Sequence, residues 1–90
     1  MMKPNVIIIN PLDNVAIALE DISEGGDVRL PDGAPIRALA AIPYSHKVAL
    51  TDIPEGENIV KYGEIIGKAT ETIHKGQWVH THNLNIDNKR

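Results

Sequence analysis

A small, mainly β domain of short, bent strands is the fold class this sequence predicts, and three observations predict it. The first is size: 90 residues sustain one hydrophobic core and no more. The second is punctuation. Seven glycines and six prolines interrupt the chain so often that no helical stripe survives beyond about two turns. The third is what lies between the breakers, namely runs rich in Val, Ile and Thr, which suit a pleated, half-buried surface. With 42% hydrophobic residues the chain has the apolar mass to fold. It has no Phe, one Trp and two Tyr, so aliphatic side chains do the packing and a partner surface can complete it.

Strands are expected at residues 6–9, 15–20, 36–42, 47–51, 64–69 and 77–82. The run 36–42 contains Ala38, Leu39, Ala40 and Ala41 and has helical propensity. Pro35 and Pro43 confine it to a turn or two, so strand is preferred. One turn pattern recurs as Asp21-Ile22-Ser23-Glu24-Gly25, Asp52-Ile53-Pro54-Glu55-Gly56 and Thr72-Ile73-His74-Lys75-Gly76. In each, Ile anchors the turn to the core and Gly permits a positive φ. Their unequal spacing argues against a solenoid and for similar turns in one fold. Gly67, inside an apolar run, marks a bulge or a close approach of another backbone. A single domain is expected over residues 1–90, with its core at about 5–84 and a polar, frayed tail at 85–90.

Composition excludes several functions. The absence of cysteine rules out disulfides, Cys-based zinc sites, iron–sulfur clusters and thiol nucleophiles. A net charge of −3 argues against nucleic acid and anionic membranes as partners. The longest apolar run, Val6-Ile7-Ile8-Ile9, is too short for a membrane span or signal sequence, which makes the cytoplasm the default location. No phosphate-binding glycine loop and no Gly-x-Ser-x-Gly elbow is present.

The most informative polar constellation is Val79-His80-Thr81-His82-Asn83. On a strand, His80 and His82 share a face and can converge on one metal ion. Asn83 can orient a ligand or meet a substrate hydroxyl. A lone His-x-His is equally often two solvated histidines, and a complete site needs a further ligand. His46 and Lys47 open a strand after Pro43-Tyr44-Ser45. The histidine there can serve as base, metal ligand or oxyanion donor, and the lysine suits a substrate carboxylate. A capping His and a solvated Lys are the plainer alternative. Asp13-Asn14 reads first as a turn and second as a sugar-hydroxyl contact. Lys61-Tyr62-Gly63-Glu64 groups a cation, a phenol and an acid at a ligand mouth or subunit contact. His74 is expected to be exposed, and Trp78 to be a core or interface plug.

Three stretches, in this order, carry a family resemblance. They are Asp13-Asn14-Val15-Ala16; then His46-Lys47-Val48-Ala49-Leu50 with Asp52-Ile53-Pro54; then Lys61-Tyr62-Gly63-Glu64-Ile65-Ile66-Gly67-Lys68-Ala69, leading into Gly76-Gln77-Trp78-Val79-His80-Thr81-His82-Asn83-Leu84. Together the chain resembles the N-terminal domain of the altronate and galactarate dehydratases over roughly residues 5–84. That resemblance implies a β-clip fold of the SAF type, related to type III antifreeze protein. It implies a hydro-lyase that forms 2-keto-3-deoxy acids from sugar acids with a divalent metal, Fe²⁺ in most relatives.

Most members carry the module ahead of a larger catalytic region, so a chain ending soon after Leu84 is expected to be a small subunit. Its partner is then a large catalytic subunit that holds most of the metal cage, and the isolated chain can self-associate as a homo-oligomer. On this view His46 is base or ligand, Lys47 pairs with the carboxylate, and His80 with His82 are candidate metal ligands. Asp13, Asn14, Lys61, Tyr62 and Asn83 are candidate substrate contacts. Ser45 stands where the family pattern has Gly. A sulfolactate sulfo-lyase small subunit and a non-catalytic stabilising module are the alternatives.

Overall fold

Every long run of β-formers in this chain is cut by Gly, Pro or Asp within a few residues, so its strands are short and its core is gathered from many of them. The computed structural model describes residues 3–31, 33 and 35–86. Among these there is no helix, and nine strands form: β1 Val6–Ile7, β2 Val15–Ala18, β3 Asp27–Val28, β4 Ile36–Arg37, β5 Lys47–Ala49, β6 Asn58–Lys61, β7 Glu64–Ala69, β8 Trp78–Val79 and β9 Leu84–Asn85. They make three antiparallel sheets, ordered β1-β2-β5-β8, β3-β4 and β6-β7-β9. This is the small all-β architecture expected from the sequence, and it is consistent with the β-clip that the resemblance implies.

The recurring turn is the organising unit, and it occurs four times. Besides Ile22, Ile53 and Ile73, the unit is built on Ile42, with Ser45 where the others have Gly. Ile22 bridges Ile42, and Ile53 bridges Ile73. Each turn is clamped by an alanine: Gly25 N donates to Ala38 O, Ser45 N to Ala18 O, Gly56 N to Ala69 O and Gly76 N to Ala49 O. Reciprocally, Ala38 N donates to Gly26 O, Ala18 N to His46 O, Ala69 N to Glu57 O and Ala49 N to Gln77 O. The φ angles are +83° at Gly25, +69° at Ser45, +86° at Gly56 and +93° at Gly76. Ser45 therefore holds the left-handed conformation that glycine adopts without steric cost.

These turns divide the core in two. One cluster includes Ala18, Ile22, Val28, Ala38, Ile42 and Val48. The other repeats them 31 positions later (Ile53 against Ile22) as Ala49, Ile53, Ile59, Ala69, Ile73 and Val79. The fold is an internal duplication, visible as one aliphatic position matched to another. Two buried or half-buried asparagines do equivalent work. The Asn5 side chain accepts from Arg29 N at 2.7 Å and donates to Asp27 O at 2.9 Å. Asn14 accepts from Val60 N at 2.8 Å and donates to Asn58 O at 2.9 Å. Each carboxamide satisfies a strand edge that has no neighbouring strand.

Several expected elements differ in extent. Strand 36–42 shortens to Ile36–Arg37, because Ala38 is drawn into the Gly25 clamp and Ile42 into its own turn. Strand 77–82 ends at Val79, because residues 80–83 close a turn on the Asn83 side chain. Strands β3, β6 and β9 lie in polar stretches that periodicity does not mark. Asn85, assigned to the polar tail, pairs with Lys68 in β9; residues 87–90 lie outside the described residues. Gly67 shows both expected features. The β6–β7 register shifts at Ile59/Val60, and a Cβ on Gly67 would sit 2.5 Å from Asn85 O.

Candidate functional site

The register of β5 against β8 builds the site. Lys47 pairs with Val79 and Val48 with Trp78. Extending that antiparallel register one step puts His46 opposite His80. Because alternate residues share a face, His46, Val48, Trp78 and His80 then line one side of the sheet. The rings meet accordingly: His46 and His80 centroids are 4.7 Å apart, and His46 and Trp78 are 5.7 Å apart. Trp78 stacks on His80 at 5.3 Å with planes 8° apart, and His82 lies 5.0 Å from the indole. The Trp78 indole N–H donates to His46 Nδ1 at 3.1 Å.

Asn83 shapes the turn that carries the two later histidines. It is fully buried. Its Oδ1 accepts from His80 N at 3.0 Å and its Nδ2 donates to Trp78 O at 2.9 Å. Asn83 N and Leu84 N both donate to His80 O at 3.0 Å. His80 is half-buried and His82 exposed, on a turn rather than on one strand face, so the spacing argument for a shared metal does not carry over. Among the described residues no three His, Cys, Asp or Glu side chains gather as a metal cage.

Positive charge gathers beside the rings. Lys47 is half-buried at the β5 entrance; desolvation, and then the charge of Lys61, push its ammonium below the ordinary lysine value. Desolvation also lowers the His80 imidazole, helped by His46, Lys47 and His82. Lys61, Lys47, His80, His46 and His82 therefore form one electrostatically connected group on a chain whose net charge is −3. Such a group favours an anion.

The remaining sequence-predicted residues support this edge. Tyr62 (φ +59°) and Gly63 (φ +76°) form the two-residue turn of the β6–β7 hairpin, whose primed geometry matches strand twist. Asp13 Oδ1 accepts from Gly63 N at 2.8 Å and its Oδ2 accepts from Asn10 N at 3.1 Å. Desolvation works to raise the Asp13 carboxyl, yet its backbone hydrogen bonds at Gly63, Tyr62, Asn10 and Ile9 prevail and lower it. Lys61 Nζ lies 4.8 Å from the Tyr62 ring centroid, a cation–π contact beside an exposed phenol. His46, His80 and His82 thus come together around Trp78, while Lys47, on the alternate face of β5, acts on His80 through its charge and Lys61 acts on Lys47. Asp13, Asn14 and Asn83 have their side-chain polar atoms engaged by backbone.

The residues over which this site is built match a family described as the altronate/galactarate dehydratase SAF domain, across residues 4–87. The chain belongs to this family. It is 46% identical to altronate dehydratase of Escherichia coli (strain K12) over 77 residues, covering 86% of this chain and 15% of that protein. It is 42% identical to galactarate dehydratase (L-threo-forming) of the same strain over 73 residues, covering 81% of this chain and 14% of that protein. A (2R)-sulfolactate sulfo-lyase subunit alpha from Paracoccus pantotrophus is 43% identical over 61 residues, covering 68% of this chain and 82% of that subunit. The chain thus spans about a seventh of the dehydratases it matches and most of the sulfo-lyase subunit.

Within this SAF domain, Trp78 is the site residue that sequence reasoning assigned only to packing. The available signal was its position two residues before His80 on a strand, which puts both on one face. The partner that gives the indole a polar task, His46, is 32 residues away, beyond any local pattern. No helix among the described residues is long and apolar enough to cross a membrane.

Proposed function

We propose that this chain is the SAF subunit of a sugar-acid dehydratase, an altronate dehydratase-type hydro-lyase that gives a 2-keto-3-deoxy acid. In this reading it completes a site whose main part belongs to a large catalytic subunit in the same cytoplasmic enzyme. The observation that carries the reading is the gathering of His46, His80 and His82 around Trp78, within electrostatic reach of Lys47, which in turn feels Lys61. Removing a proton α to a carboxylate builds negative charge on that carboxylate, and preorganised cations and N–H donors stabilise it. Lys47 meets the carboxylate, His46 and His80 face the reacting groups, and Lys61 with Tyr62 frames the mouth. A divalent metal, Fe²⁺ in this reading, is held mostly by the large subunit, since no three ligating side chains gather among the described residues.

The sulfo-lyase relative supports a second substrate within the same architecture. Its name makes it one subunit of a lyase, and this chain covers 82% of its length. Sulfolactate therefore joins the sugar acids as a candidate substrate. Co-expression with the large-subunit candidate from the adjacent reading frame tests both, by 2-keto acid release from a sugar-acid panel and sulfite release from sulfolactate, with Fe²⁺ present. Activity that needs both chains is expected, and the active substrate names the branch. Full activity from the large chain alone sinks the proposal and leaves a stabilising module.

A further inference from the structure

We infer that His46 meets its anionic ligand as an Nε2–H hydrogen-bond donor, and that Trp78 is the positioning residue that makes it one. The identity of the anion rests on the lyase reading above; the state of the ring does not. A neutral imidazole has one donor and one acceptor nitrogen, and an indole N–H can only donate. The Trp78 Nε1–H reaches His46 Nδ1 at 3.1 Å, so the acceptor lone pair of the ring is occupied and the ring proton sits on Nε2. A histidine in that state offers neither a free lone pair to a metal nor a vacant nitrogen to a substrate proton. It offers one N–H.

The surroundings fix both partners. Trp78 is held from behind by Asn83, whose Nδ2 donates to Trp78 O at 2.9 Å, and its ring is stacked on His80. His46 follows the Ser45 turn directly, and its own carbonyl is clamped by Ala18 N at 2.9 Å. The indole and the imidazole are therefore both anchored through their backbones, and their bond selects between the two tautomers.

Long-range ¹H–¹⁵N correlations on the 90-residue chain, recorded where the His46 ring is neutral, read the proton position. Protonated Nε2 with bare Nδ1 is expected, and a proton on Nδ1 overturns the assignment. Exchange of the Trp78 indole N–H with water should quicken about tenfold in His46→Ala, as loss of one net hydrogen bond implies; an unchanged rate overturns it too. Trp78→Phe keeps a ring and removes the donor, and there both His46 tautomers should appear.

In the reconstituted lyase, His46→Gln retains an N–H donor but cannot act as a base. It should keep kcat/KM within about tenfold of wild type, whereas His46→Ala should lose about 10²–10³-fold. Equal loss in both variants assigns proton abstraction to His46 and refutes the donor role. A complex inactive in every form, with the ring proton found on Nε2, sinks the lyase reading while the action of Trp78 on His46 stands.

Discussion

Replacing Asn83 with alanine tests how far the site depends on the fold. The side chain is fully buried, and its two polar atoms bind His80 N at 3.0 Å and Trp78 O at 2.9 Å. Alanine removes both bonds and leaves a partly buried donor and acceptor without partners. A net hydrogen bond is worth about 1 kcal/mol, and an unsatisfied buried group costs about 1–3 kcal/mol. Asn83→Ala should therefore destabilise by about 2–4 kcal/mol, a large part of the roughly 5–15 kcal/mol that holds a domain together. For a domain of this size that corresponds to a fall in Tm of roughly 10–30 °C.

Urea unfolding followed by far-UV circular dichroism measures the loss. The fluorescence of the chain's only tryptophan reports whether the His80 stack loosens in the folded state. Thr81→Ala is the control, because Thr81 is exposed on the same turn and should change stability by less than about 0.5 kcal/mol. If Asn83→Ala is as mild as Thr81→Ala, Asn83 does not hold the turn, and its side chain is available for substrate after all.

Four further outcomes are expected. Ser45→Gly should stabilise by about 0.5–1 kcal/mol in denaturant titration, since relief of left-handed strain exceeds the added chain entropy. Gly76→Ala should cost about 3–5 kcal/mol in the same assay, because a Cβ there would lie 2.1 Å from Arg37 O at a φ of +93°. Gly56→Ala, with φ of +86° and open space, should cost only about 1–2 kcal/mol. Histidine ¹³C titration should place the His80 midpoint below that of a free histidine, 6.5. The unfolded chain then binds more protons than the folded one as pH falls through that value. The His80 contribution to stability is thus complete above pH 6.5 and declines below it; a midpoint above 6.5 reverses the sign and contradicts the geometry.

The residues that made the family legible are largely those that make turns. Asp13, Ile53, Gly63 and Gly76 fix chain direction through local chemistry, which a sequence displays directly. The fourth turn escaped because Ser45 replaces the glycine that marks the other three, and the duplication escaped with it. Once Ile42 is counted, the alanine four residues before each turn isoleucine (Ala18, Ala38, Ala49 and Ala69) reveals the repeat. The site was legible as a list of residues but not as an arrangement. The two-residue spacing of His80 and His82 implies a shared strand face. Asn83, three positions from His80, instead supplies the side-chain bond that turns the chain.

By itself the sequence determined the class of fold, the clamped turns, the aliphatic character of the core and the polar residues that matter. Those follow from local backbone preferences and from hydrophobic burial, which act over a few residues or without direction. The tertiary structure alone decided which residues meet. His46 faces His80 because β5 and β8 pair in one register out of several. Trp78 has a polar task because that register brings a histidine to its indole, and Asn14 serves the fold because β6 arrives at its carboxamide. Register and long-range approach are settled by tertiary packing within each of the two duplicated cores, and no stretch of neighbouring residues encodes that.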